Sequence, residues 1–367
     1  MSLLNALTVV FLLFLVLMII KNKKNIKREG IFILWRTKLG IKIMDKIANK
    51  LKNKKITDLF SYFMIVSSFL LSFFIVVYLI KHTLSLLRKE TDIPGVSLVI
   101  PGVTEVAGLK IPFWTILIIF IVALVHEFAH GLFARIYNMR VKNTGLVLLA
   151  IIPGAFVEID EKLLEKKKLK EKLAIISAGP FFNILLAFIS FALIFFVNKI
   201  PITYAGIYYE SYNNSELKKG ILYEINGKIL VYSNINDAIK VINEEIQGKD
   251  YVNVIVKENN TLIEKRIPVI EENEKRKLGI YVNNNCQLST NQNLCEIKEG
   301  FYQFLFFLFL FNIGIGTANL LPLIPLDGGK MWYFVLKNKM VFFALLNIIT
   351  LFVLLLNLLF PFIKDFI

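Results

Sequence analysis

Six stretches of the chain are apolar over roughly the length of a bilayer crossing, and its polar residues collect between them. The first, Leu3 to Ile20, is interrupted only by Asn5 and Thr8 and runs directly into Lys21, Lys23 and Lys24. That polarity is the reverse of a cleaved signal peptide and predicts a membrane helix whose N-terminus lies outside. Further spans are predicted over Leu59 to Ile80, Phe113 to about Ile136, Leu173 to Val197, Phe301 to Leu321 and about Met340 to Phe362. Two apolar segments break the pattern. Asp92 to Pro112, containing PGVSLVIPG, has no helical period and reads as a strand or a re-entrant hairpin. Gly145 to Val157 is split by Pro153 and Gly154, which suits a strand or loop dipping into the membrane edge, where protein or water satisfies its backbone.

Between Lys199 and about Gly300 the pattern changes to Asn, Lys and Glu with alternating strands. ILYEINGKIL predicts two strands joined by an Asn226-Gly227 turn, NINDAIKVINEEI a capped amphipathic helix, and YVNVIVKE and LIEKRIPVI further strands. The fold class expected is a polytopic α-helical membrane protein of about six transmembrane helices with an inserted small α+β domain. Its parts would be 1–111 with the first helices and a basic loop, membrane parts 112–198 and 301–367, and the soluble module 199–300.

Composition agrees: 56% of residues are hydrophobic, 19% charged, and mean hydropathy is +0.62. A net charge of +15 could suggest nucleic acid, but its location says otherwise. Thirteen Lys or Arg lie between Lys21 and Lys55 and six between Lys162 and Lys172, each run beside an apolar segment. Such runs mark cytosolic loops and argue for a lipid bilayer, with no nucleic acid, as the partner. Counting crossings from an outside N-terminus puts both basic runs in the cytosol and the 199–300 module outside, consistent with a multi-pass protein of the cell membrane. Cys286 and Cys295 are the only cysteines, and pairing and separate thiols are equally open.

Two of the three histidines, His126 and His130, flank Glu127 in HEFAH, inside the apolar stretch IIFIVALVHEFAHGLF. Residues four apart share a helix face, so both imidazoles can reach one cation, with Glu127 beside the water that attacks. Zinc suits that set. Ionisable groups in hydrocarbon cost about 2.5–3.5 kcal/mol each on insertion scales and are functional by default. The bland alternatives are a polar helix-packing patch or a proton relay. A third protein ligand is needed, and Asp327, in NLLPLIPLDGG, is the acid most deeply set in apolar sequence. Alone it reads equally well as a turn residue before Gly328-Gly329; Glu105, Glu158 and Asp160 read as boundary charges, and His82 as an interfacial residue.

HEFAH in one apolar segment, GPFFN (Gly179, Pro180, Asn183) in the next and NLLPLIPLDGG (Asn319 to Gly329) in a later one together resemble the site-two protease family of intramembrane zinc metalloproteases. The resemblance covers about Phe113 to Lys330. It implies one zinc ion held by His126, His130 and Asp327, and Glu127 as general base of a zinc metalloendopeptidase. It also implies Asn319 and Asn183 as substrate contacts, although close helix packing explains Gly179, Pro180 and Asn183 equally well. GAFVEID resembles the family's membrane-edge hairpin, which presents a strand edge to unwound substrate. The soluble module resembles the PDZ domains many members carry, with no Gly-rich carboxylate loop before ILYEINGKIL; a groove-less β-rich module is the other reading.

The expected function is therefore hydrolysis of peptide bonds in transmembrane protein substrates, that is, regulated intramembrane proteolysis. A transporter or metal-ion carrier using intramembrane His, Asp and Glu is the rival reading, and an inactive scaffold a third.

Overall fold

The computed structural model describes residues 3–21, 26–51, 54–106, 108–149, 152–211, 217, 219–258, 261–272 and 275–363. The chain packs as two compact units, Met1–Ala192 with Phe304–Ile367, and Leu193–Gln303.

Helices dominate the first unit: α1 (Leu3–Lys21), α2 (Ile41–Lys50), α3 (Lys54–Leu87), α4 (Thr115–Ile136), α5 (Glu161–Lys166), α6 (Leu169–Asn198, continuing into the second unit), the later part of α8 (Gln292–Asn319), α9 (Asp327–Val335) and α10 (Met340–Ile363). Among the described residues, α3, α4, α6, α8 and α10 are long and apolar enough to cross a membrane. The first predicted span forms a helix too, but its described apolar part, Leu4–Met18, is shorter than the five others. The chain is thus an integral, polytopic helical membrane protein. α4 is the most enclosed of the five spans, because it sits at the centre of the unit rather than against lipid. Ala129, Phe133 and Ala134 on α4 pack with Met64 and Ile65 of α3, Ala174, Ile175 and Ala178 of α6, and Leu320 and Met331 around α9.

The unit also contains a four-stranded antiparallel sheet, in the order β1 (Ile26–Glu29), β2 (Phe32–Thr37), β5 (Val141–Leu149), β6 (Ile152–Ile159). Its second half is the predicted membrane-edge segment, in which β5 and β6 pair antiparallel from Val141↔Ile159 to Leu149↔Ile152; residues 150 and 151 lie outside the described set. Its first half was not expected. The segment 26–37 lies inside the basic run read as a loop, where Gly30 in the left-handed region turns the chain and Trp35, 6% exposed, is buried. β2 pairs with β5 from Phe32↔Leu149 to Thr37↔Thr144, so β6 is left as an edge strand. Among the described residues, the predicted strand or re-entrant hairpin over Asp92 to Pro112 is irregular except for a small antiparallel pair, β3 (Glu105–Val106) with β4 (Leu109–Lys110). Its start is tied down at Gly95, whose N–H donates to Asn357 Oδ1 (3.0 Å), and at the Ile93 carbonyl, 2.8 Å from His82 Nε2.

The second unit holds β7 (Tyr204–Ala205), β8 (Ile207–Ser211), β9 (Lys219–Ile225), β10 (Lys228–Ile229), β11 (Val231–Tyr232), α7 (Ile235–Ile246), β12 (Tyr251–Glu258), β13 (Thr261–Pro268), β14 (Ile270–Glu272), β15 (Lys275–Lys277) and β16 (Ile280–Asn283). The main sheet runs β13-β12-β9-β8-β16, with β10 folded back on β9 through Asn226 and Gly227. Both turn residues are in the left-handed region, as a two-residue hairpin of this kind needs. α7 is capped by Asn234, which accepts from the Asn236 N–H, and buries Ala238, Ile242 and Ile246. These pack with Ile207, Tyr209, Leu222, Ile225, Val254 and Val256 into a separate core. Cys286 and Cys295 form a disulfide, joining a short 3-10 turn to the start of α8.

Candidate metal centre

The centre starts on α4, whose face toward α6 and α9 carries His126 and His130. Their Nε2 atoms lie 3.1 Å apart, and Asp327 Oδ2 is 3.0 Å from the first and 3.2 Å from the second. Side-chain exposures of 9%, 11% and 12% for His126, His130 and Asp327 leave water little access to any of them. These three residues are the one group among the described residues whose side chains are placed to hold a metal ion.

Their neighbours decide which atoms face the centre. His130 Nδ1 lies 2.7 Å from the Ile175 carbonyl, an acceptor only, so Nδ1 carries a proton, and in the neutral ring Nε2 keeps its lone pair. Pro180 in mid-α6 removes the helical donor of the Ile176 carbonyl, opening the helix one residue from that contact. His126 Nδ1 lies 3.1 Å from the amide of Asn183, a residue wholly enclosed, and Asn183 Oδ1 is the buried atom there without a partner. Turning the amide half a revolution would place Oδ1 against a proton on Nδ1, with the NH2 group moving to the position that has no partner. Each imidazole then presents a bare Nε2 to the centre, as metal-binding histidines do when a second partner fixes the tautomer.

Three lone-pair atoms converging in this way repel one another unless a metal ion or a proton sits between them. Ligands at zinc distances in a tetrahedron stand about 3.3 Å apart, close to the spacing here. There is also room for the ion. A Cβ on Gly179 would lie 2.3 Å from His130 Nε2 and 2.7 Å from His126 Nε2, so the missing side chain leaves a cradle beside the ligand atoms. Two imidazoles and one carboxylate, with a fourth side left open, is a donor set typical of catalytic zinc.

Asp327 is delivered by a tight turn. α8 stops at Asn319, and α9 begins at Asp327 itself, so the carboxylate sits in the first turn of a helix, where the exposed N–H groups favour negative charge. A Cβ on Gly328 would fall 2.1 Å from the Leu320 carbonyl oxygen, and one on Gly329 2.3 Å from the Leu323 carbonyl. Only glycine lets α9 press on that backbone. The LDGG run is thus a helix start folded back on its own turn.

Glu127 points elsewhere, toward the sheet, where its Oε2 accepts from the Val157 N–H at 3.0 Å. Val157 is on β6, whose outer edge faces α4. Asn319 donates to the carbonyl of Ile315 one turn back in α8 and is half-buried. Of the residues singled out in the sequence, His126, His130, Asp327 and Asn183 come together, Glu127 lies beside them, and Asn319 bonds within its own helix. Gly179, Ile175 and Val157 shape the site as well. A Gly-Pro pair in mid-span signals the first, while the other two act through their backbone and leave no side-chain signature.

Residues 114–360 match the model of peptidase family M50. A protein of Methanocaldococcus jannaschii, itself uncharacterized, is 33% identical over 337 residues, which is 89% of this chain and 84% of that one. A protein of Fusobacterium nucleatum that carries a provisional zinc-metalloprotease name is 26% identical over 277 residues, 58% of this chain and 79% of its own.

Proposed function

Since the chain belongs to peptidase family M50, the site-two protease family, we propose that this membrane metalloprotease hydrolyses peptide bonds of transmembrane proteins, in regulated intramembrane proteolysis. The observation that carries this reading is the enclosed meeting of His126, His130 and Asp327 from two distant parts of the chain. A zinc ion held there would supply Lewis acidity toward the scissile carbonyl and the attacking water. Glu127, one residue from a ligand, takes the proton of that water and passes it to the leaving amine. Asn183 acts through His126 as an orienting partner, which suits its burial better than contact with substrate. Asn319 is left as the candidate for holding substrate or spacing the helices.

A helical substrate hides its carbonyl carbons and must open before attack. Among the described residues the β6 edge has no strand partner and, apart from the Val157 N–H held by Glu127, offers its backbone groups to an extended strand. In this reading both basic runs face the cytosol, the membrane is the cell membrane, and the Leu193–Gln303 unit is an extracytoplasmic PDZ-like domain. Its helix α7 following a hairpin and its disulfide support that placement, since disulfides persist in oxidising surroundings. The stretch where a PDZ carboxylate loop would fall, 212–216 and 218, lies outside the described residues.

Purified chain in proteoliposomes with a single-span substrate tests the proposal. Cleavage that a zinc chelator stops and added Zn2+ restores is expected; metal flux without cleavage would make it a carrier. Asn183→Ala should weaken zinc binding about 10–100-fold, as loss of a histidine's outer partner does, measured by chelator competition. Placed outside, the 199–300 module would act as a size or partner filter that excludes substrates whose outer domains are untrimmed, so deleting it should widen the range of substrates cut while cleavage of a short single-span substrate persists; an unchanged substrate profile would count against that role.

A further inference from the structure

α3 precedes the residues that match the family model, yet it holds both ligand-bearing elements. At one level, Ser61 accepts a hydrogen bond from the Tyr137 hydroxyl (2.8 Å), at the end of α4, and Phe60 stacks near Phe133. Roughly three helical turns further along, about 16 Å, Ser72 does something different. Its hydroxyl, 1% exposed, donates to the Leu320 carbonyl at 2.6 Å and accepts from Trp332 Nε1 at 2.8 Å. Leu320 is the first residue after α8, and Trp332 lies within α9, so one hydroxyl closes the turn that contains Asp327 from both ends. The Leu320 carbonyl is also the surface on which Gly328 rests. Phe69, one turn back on α3, meets the Trp332 ring edge-on at 5.1 Å and fixes the indole for that bond.

We infer that Ser72, together with Trp332, is a positioning residue for the metal centre: it sets how far the Asp327 carboxylate reaches toward His126 and His130. Ser72 touches neither ligand nor reacting atoms and acts only through the turn. α3 is then a ruler, gripping α4 at Ser61 and the aspartate turn at Ser72. This rests on the metalloprotease reading above.

Ser68 supplies the control. It lies on the same helix, is 1% exposed, and its hydroxyl finds no partner among the described residues. The full-length chain in detergent would be titrated with Zn2+ against a chromophoric chelator, and with Co2+ while its d–d absorption is read. Ser72→Ala should weaken Zn2+ binding about tenfold and shift the Co2+ bands; Ser68→Ala should stay within about twofold of the parent, with unchanged bands. Trp332→Phe should resemble Ser72→Ala, and the double variant should be little worse than either, because both remove one clasp. Ser72→Thr, which keeps the hydroxyl, should hold the parent spectrum. Equal behaviour of Ser72→Ala and Ser68→Ala, whether both harmless or both damaging, would overturn the inference. A parent chain that binds neither ion would instead sink the metal-centre reading on which it rests.

Discussion

Glu127→Gln is expected to abolish cleavage of a single-span substrate, by about 10²–10⁴-fold or to background, while the purified protein retains its zinc. The amide keeps the size of the side chain and can still accept from the Val157 N–H, so the fold around α4 and β6 should survive. What it loses is the capacity to take a proton. Because Glu127 is absent from the ligand triangle, metal content by elemental analysis should match the parent. Substantial residual cleavage would show that the proton goes elsewhere, and loss of the metal would make Glu127 a ligand instead.

Gly179→Ala should have an effect of similar size through a different route. The added methyl would stand 2.3 and 2.7 Å from the two Nε2 atoms, nearer than Cβ atoms approach other atoms. The imidazoles cannot retreat, being held behind by the Ile175 carbonyl and by Asn183. The methyl therefore competes for the space beside the ligand atoms, and both zinc and activity should be lost together. Gly314→Ala on α8, where a Cβ would meet nothing within 4 Å, should leave both unchanged. Zinc stoichiometry and cleavage rate measured on the pair separate blockage of the site from a general glycine effect; a fully metallated, active Gly179→Ala would show that the space beside Gly179 is not needed.

Much of this could be read from the residues, for identifiable reasons. The spans were legible because hydrocarbon demands unbroken apolar sequence, and HEFAH because charged groups inside such a stretch have few explanations. The 26–37 hairpin was hidden because Lys27, Arg28 and Arg36 made it read as part of a basic loop, whereas its identity as strand comes from pairing with β5 more than a hundred residues later. Asp327 was ambiguous for a related cause. A carboxylate before two glycines suits a turn, and only the carbonyls of Leu320 and Leu323 beneath those glycines show that it is a helix start aimed across the unit. Asn183 illustrates a third limit: its motif marked it out, but its contact with His126 Nδ1 became visible only once α6 lay against α4.

The backbone bond from Val157 to Glu127 bears on turnover. Confining a long, flexible carboxylate to one rotamer costs about 1.5–2 kcal/mol of entropy. Here that disorder is surrendered once, when β6 settles beside α4, so a Glu127 acting as the proposed base would enter every cycle from a single rotamer on the β6 side of the centre.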